Sequence, residues 1–203
     1  SGAYLASVAD HNGQNVGVSN DVSVSLTTTN SASSTPTPEI IVENKVKIMI
    51  AGDIMLDRGI RMLGEKYGYD SLFATVTPLF KQADMVIANL EGPITTNKSK
   101  TLISKNKTGP SLIFTFDPKV TDTISKSNIS ILSLANNHSD NFGLSGLKQT
   151  KNFLDKAGLK YFGDPYNATS TILKLNKNGI DIAFVGYHAF AKGFENIVDA
   201  VAD

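Results

Sequence analysis

Cysteine is absent from the 203 residues, which excludes disulfides and thiolate metal sites while leaving the compartment open. Neither sign of charge is in excess. Nineteen Lys and Arg offset 19 Asp and Glu, so the charge balance draws the chain neither to nucleic acid nor to anionic lipid. No segment approaches the roughly 18 consecutive apolar residues of a bilayer span, and no basic-then-apolar leader opens the chain. The first residue is Ser1 rather than Met, which reads as a piece of something longer. Internal repeats are lacking too. What is present is a hydrophobic content of 41%, enough for one good core with a smaller module attached.

Three stretches of different composition follow one another. Tyr4–Asp10 and Val16–Leu26 alternate apolar and polar residues around Asn12-Gly13, a hairpin signal. A lone hairpin is marginal in water, so residues 1–26 are expected to be the remnant of an immunoglobulin-like or fibronectin-like module, with a disordered tail as the alternative. Residues 27–44 are rich in Ser, Thr and Pro and are predicted to be an extended linker, of a kind common outside the cytoplasm. From residue 45 to 203 the pattern becomes βαβ. Apolar runs at Lys45–Ala51, Met85–Leu90 and Ile129–Ala135 alternate with helical stretches near Arg58–Lys66, Ser71–Gln82 (interrupted at Pro78), Asp117–Ser127 and Leu144–Ala157. A short strand at Tyr161–Phe162 and a hairpin turning at Asn178-Gly179 complete it. Continuous apolar strands between helices predict an α/β fold, a layered α/β/α sheet covered on both faces.

In such sheets ligands bind beyond the carboxyl ends of the strands. Here those ends carry Asp53 with Asp57-Arg58, then Asn89-Leu90-Glu91, then Asn136-Asn137-His138, and finally His188. Each group alone has a plain explanation as a turn former, helix cap or solvated residue. His188 reads better as a core or rim histidine, and His11 has no assigned role. Carboxylates and amides at three successive crossovers call for a shared cause, and a cation supplies one. Oxygen donors with one imidazole and no sulfur suit Mn, Fe, Zn or Mg. Glu91 could bridge two ions, the recurring device for activating water against phosphorus esters. His138 could protonate a leaving group. Arg58 could bind an anionic substrate group or simply pair with Asp57.

The segments Gly52–Arg58, Ala88–Pro93 and Leu134–His138, followed by Phe142-Gly143 and Gly146-Leu147, resemble the CapA family of capsule and poly-γ-glutamate synthesis proteins, whose domain is similar to calcineurin-like metallophosphatases. The resemblance implies that Asp53, Glu91 and Asn137 bind metal, with His138 beside it as the catalytic group and Arg58, Asn89 and Asn136 toward the substrate. It further implies an extracytoplasmic bacterial protein handling an anionic substrate or polyglutamate, alongside other capsule-assembly proteins. The family commonly has Asp immediately before the aromatic-Gly pair, where this chain has Asn141, with Asp140 one residue earlier. Its later histidine motifs fall beyond Asp203. A chain without them is expected to hold metal weakly and to turn over poorly. The rival expectation is a non-catalytic surface or polymer-binding protein on the same scaffold.

Overall fold

The computed structural model describes residues 3–8, 44–101, 112–167 and 172–187. In chain order these form β1 (Ala3–Val8), β2 (Ile48–Ile54), α1 (Arg58–Tyr67), α2 (Asp70–Phe73), α3 (Thr77–Phe80) and β3 (Met85–Leu90). Then come α4 (Val120–Lys126), β4 (Ile129–Ser133), α5 (Gly143–Lys156), β5 (Lys160–Phe162), β6 (Ile172–Lys177) and β7 (Ile180–Tyr187). The linker from residue 27 to 43 and the expected second hairpin strand lie outside the described residues, as does His188.

Four parallel strands make the central sheet in the order β2-β3-β4-β5. Every residue of β3 is buried, as a strand enclosed on both faces requires. Its side chains alternate between two cores. Val86, Ala88 and Leu90 join Ile124, Leu132, Leu147 and Leu154 on one face. Met85 and Ile87 join Ile131, Phe162, Ile182 and Phe184 on the other. Helices therefore cover the first face, while the antiparallel β6–β7 hairpin covers the second. Its turn has positive φ at both Asn178 and Gly179, the geometry that the Asn-Gly pair favours. Strand β1 pairs antiparallel along β7, from Ala3 opposite Tyr187 to Val8 opposite Ile182.

The helical expectation over Ser71–Gln82 resolves into two short helices, with Pro78 in the first turn of the second. Proline has no N–H to give and a φ suited to a helix start. Asp117 accepts from the backbone N of Lys119 at 2.9 Å, although the regular helix begins only at Val120. Strand β2 starts and ends later than expected, running through Gly52, Asp53 and Ile54 after a slip in pairing between Ile50 and Asp53.

Tyr69 joins α1 to α2 and lies against Gly64, where a Cβ would overlap its ring. Its hydroxyl is buried without a hydrogen-bond partner among the described residues. Burial, reinforced by the charge of Asp117, pushes the phenol from 10.0 up to about 12. The unfolded chain ionises this group near 10.0, so its contribution to stability is complete below that pH and is lost as pH rises toward 12. Tyr69→Phe is thus expected to leave stability at neutral pH unchanged or slightly raised, and to soften the alkaline loss. Urea midpoints for both proteins, taken between neutral and strongly alkaline pH, check this. A variant that is much weaker at neutral pH would contradict it.

Candidate functional site

Strand register assembles the polar rim. The β2–β3 pairing sets Asp53 opposite Asn89, and the β3–β4 pairing sets Asn89 opposite Ser133. Asp53 thus sits within β2 rather than after it. The slip that precedes it is the kind of irregularity that re-aims a side chain near a site. The pairing extends one step further, through a bond from Glu91 N to the Ile54 carbonyl at 3.1 Å.

An amide relay links the three strand ends. Asn89 Nδ2 donates to Asp53 Oδ1 at 2.8 Å and to Glu91 Oε2 at 2.5 Å. Asn89 Oδ1 accepts from Asn136 Nδ2 at 2.9 Å, and the same Nδ2 donates to the Leu90 carbonyl at 2.9 Å. Asn136 Oδ1 accepts from the backbone N of His138 at 3.0 Å. The polarity of this chain is fixed from its ends, because a backbone N–H can only donate and a carbonyl can only accept. Asn136 must therefore turn its amine to Leu90 and Asn89, which leaves the Asn89 amine for the two carboxylates. Asn89 is 2% exposed and Asn136 3%, so neither amide turns without leaving a buried group unpaired.

His138 completes the group. Its Nε2 lies 3.8 Å from Glu91 Oε1, and its ring packs on Phe114 with centroids 4.4 Å apart. The Arg58 guanidinium stands over Phe114 as well, 4.8 Å from the ring centre. Gly92 makes room for this aromatic, since a Cβ there would meet Phe114 and Phe116 at 3.1 Å. Asn137 is exposed at the rim, with its Nδ2 3.1 Å from His138 Nε2. Asp53, Asn89, Glu91, Asn136 and His138 therefore form one connected cluster. Asn137 borders it, and Arg58 joins it through Phe114.

Arg58 does not pair with Asp57. The Asp57 carboxylate, 0% exposed, already accepts from the Arg58 backbone N at 2.8 Å, Ser99 Oγ at 2.6 Å, Thr101 Oγ1 at 3.0 Å and Thr115 N at 2.9 Å. Arg58 itself holds a left-handed φ of 56°, uncommon for a residue with a side chain and often found at functional sites. Its Nε is buried with no partner among the described residues. Sequence reasoning missed the Asp57 hub and Phe114. An N-cap position for Asp57 was readable from the helix that follows, but its partners lie some 42 to 58 residues away.

At the fourth strand end, Asp164 binds Lys151 Nζ at 2.8 Å. Burial disfavours the Lys151 charge, yet the hydrogen bond and charge of Asp164 prevail and its pKa is raised. Asp140 accepts from Tyr166 Oη at 3.1 Å. Burial and that bond push the Tyr166 phenol up. The place beside the imidazole belongs to Asn141, whose Nδ2 is 3.2 Å from His138 Nδ1.

Among the described residues no three His, Asp or Glu side chains close into a ready ion cage. The donor set instead offers a half-shell: two carboxylates drawn toward one amide, an imidazole beside them and no sulfur. In chemistry that fits a hard or borderline divalent ion. The model of the family described as bacterial capsule synthesis protein PGA_cap matches residues 47–201. The chain belongs to this family. It is 28% identical over 152 residues to the capsule biosynthesis protein CapA of Bacillus anthracis, covering 73% of this chain and 36% of that protein. Identity is also 28% over 164 residues to the PGA biosynthesis protein CapA of Bacillus subtilis strain 168, covering 79% and 42%. The matches thus span well under half the length of these relatives. A central parallel sheet with polar groups at its carboxyl rim is consistent with a metallophosphatase-like fold. No helix among the described residues is long and apolar enough to cross a membrane.

Proposed function

We propose that this member of the capsule synthesis family acts outside the bacterial cytoplasm, in making or exporting an anionic capsule polymer such as poly-γ-glutamate, through a divalent-cation site of hydrolase type. One observation carries the reading. Asp53 and Glu91 are held toward each other by a single neutral amide, and the described residues bring no Lys or Arg against either carboxylate. Two carboxylates gathered on one amide repel each other, and a cation between them would relieve that repulsion. Asp53 and Glu91 would hold the ion, with Asn137 adding a neutral oxygen at the exposed rim. An ion held there supplies Lewis acidity and a more acidic bound water. Asn89 and Asn136 keep the carboxylates in place. Arg58, with its unpartnered Nε and its aromatic support, would receive an anionic group of the substrate, and His138 would exchange a proton with it. Other capsule-assembly proteins are the partners this reading implies.

One observation favours a second reading, a polymer-binding protein without turnover: the described residues form no closed ion cage. Titration calorimetry with Mn²⁺ or Zn²⁺ separates the two. The first reading expects weak binding, weakened a further tenfold or more (about 1.4 kcal/mol) in Asp53→Ala and Glu91→Gln, with aryl phosphate hydrolysis falling in parallel. Ion binding indifferent to both substitutions would overturn it. Polyglutamate binding that persists in ion-free protein and is insensitive to Asp53→Ala would support the second.

A further inference from the structure

We infer that Asn141 is a positioning residue that fixes the tautomer of His138, keeping the neutral imidazole proton on Nε2 so that the ring offers a donor, not a lone pair, to the rim. The geometry decides this without reference to any bound ion. Asn141 Nδ2 donates to the Leu112 carbonyl at 3.1 Å, and a carbonyl can only accept, so this atom is the amine. The same amine lies 3.2 Å from His138 Nδ1. Its second hydrogen therefore points at Nδ1, which must be the unprotonated nitrogen. The ring packs on Phe114 with centroids 4.4 Å apart, and a half-turn about Cβ–Cγ would put carbons where both nitrogens stand, forfeiting the contacts with Asn141 and Asn137.

Two consequences follow at the other side of the ring. Nε2–H points into the space shared with Glu91 Oε1, 3.8 Å away. Asn137 holds its Nδ2 3.1 Å from Nε2, so a proton on Nε2 requires that amide to turn and offer Oδ1 instead, until an anionic ligand at the rim takes its place. Nothing else among the described residues bonds its side chain, so that rotation is unopposed. The rim is thereby divided. Asp53 and Glu91 form its anionic, cation-accepting side, while His138 Nε2 forms a donor side suited to an oxygen of an anionic ligand and unsuited to coordinating a cation. This last assignment rests on the functional reading above; the tautomer does not.

Long-range ¹H–¹⁵N correlation of the imidazole nitrogens, in uniformly ¹⁵N-labelled protein at a pH where the ring is neutral, reads the proton position directly. The sequence has 3 His, so His138→Gln identifies the signal. The wild-type protein is expected to show Nε2–H. Asn141→Asp, which replaces the amine by an acceptor, is expected to move the proton to Nδ1, and Asn141→Ala to give a mixture of the two forms. Asn141 is only partly buried, so both variants are expected to keep the native fold by circular dichroism. Asn141→Asp is the arm that decides, because an unconstrained neutral imidazole already favours Nε2–H, and Nδ1–H in the wild type would overturn the inference even if a variant does not fold. Wild-type protein carrying Nδ1–H, or a folded Asn141→Asp still carrying Nε2–H, would overturn the inference. Because no metal or substrate enters the measurement, Nε2–H in a protein that binds no divalent ion would sink the functional reading alone.

Discussion

Asp57→Ala is expected to lower the unfolding free energy by about 3–5 kcal/mol, the scale at which a buried charge network is broken. Two of the four groups that Asp57 accepts from are backbone N–H donors, at Arg58 and Thr115. The hydroxyls of Ser99 and Thr101 can rotate to other acceptors, but the buried Thr115 N–H cannot, and leaving it unpaired costs about 1–3 kcal/mol. Loss of the side-chain cap on α1 adds roughly 1 kcal/mol. Thr115 is held from its other side too, since Arg61 Nη1 donates to its carbonyl at 3.0 Å. The segment carrying Phe114 thus hangs on two residues one turn apart at the start of one helix. Asp57→Asn separates donor geometry from volume. It keeps the size but can retain only one carboxyl-type oxygen, so its amine must face a donor, and a loss of about 2–3 kcal/mol is expected. Urea unfolding followed by far-UV circular dichroism measures both. With a domain stability of about 5–15 kcal/mol, the alanine variant should lose a large share of its midpoint. A change below about 1 kcal/mol in Asp57→Ala would show that the hub carries no weight.

Asn136→Asp should be comparably damaging, by about 3–5 kcal/mol, although it alters one atom type. The new oxygen would face the Leu90 carbonyl and Asn89 Oδ1, both acceptors, in a position 3% exposed. It would also bring a third carboxylate to the relay that already ends on Asp53 and Glu91. Repulsion raises the folded-state pKa of the introduced acid above its unfolded value of about 3.9. The penalty is then absent below that pH and grows as pH rises through the folded pKa. Comparing midpoints of Asn136→Asp and the parent from mildly acidic to neutral pH should show a widening gap. Asn136→Ala, which leaves Leu90 O and His138 N without this partner but adds no charge, should show a gap independent of pH. Parallel behaviour of the two variants would contradict the fixed polarity of the relay.

Much of the architecture was legible because local rules and tertiary demands agree. Met85–Leu90 is apolar at every position but Asn89, a run that a strand covered on both faces tolerates, and the structure buries all of it. Asn178-Gly179 and Pro78 act where their backbone preferences place them. Boundaries were less legible. The end of β2 depends on a slip against β3, and a slip is a property of two strands, not of one.

The chain's own order of residues determined the α/β class, the family motifs and the gathering of Asp53, Asn89, Glu91, Asn136 and His138 at one end of the sheet. Parallel strands alternating with helices deliver their carboxyl ends to a common rim whatever the details of packing. Only the tertiary structure decided which of these groups bond to which. The direction of the amide relay is set by a carbonyl of β3 and an N–H after β4, and Asn141 is oriented by a carbonyl 29 residues before it. Phe114 reaches both His138 and Arg58 because Gly92 lets its segment close in. Hydrogen-bond polarity and close packing depend on distances of a few ångströms between residues remote in sequence, and no periodicity in the chain encodes them.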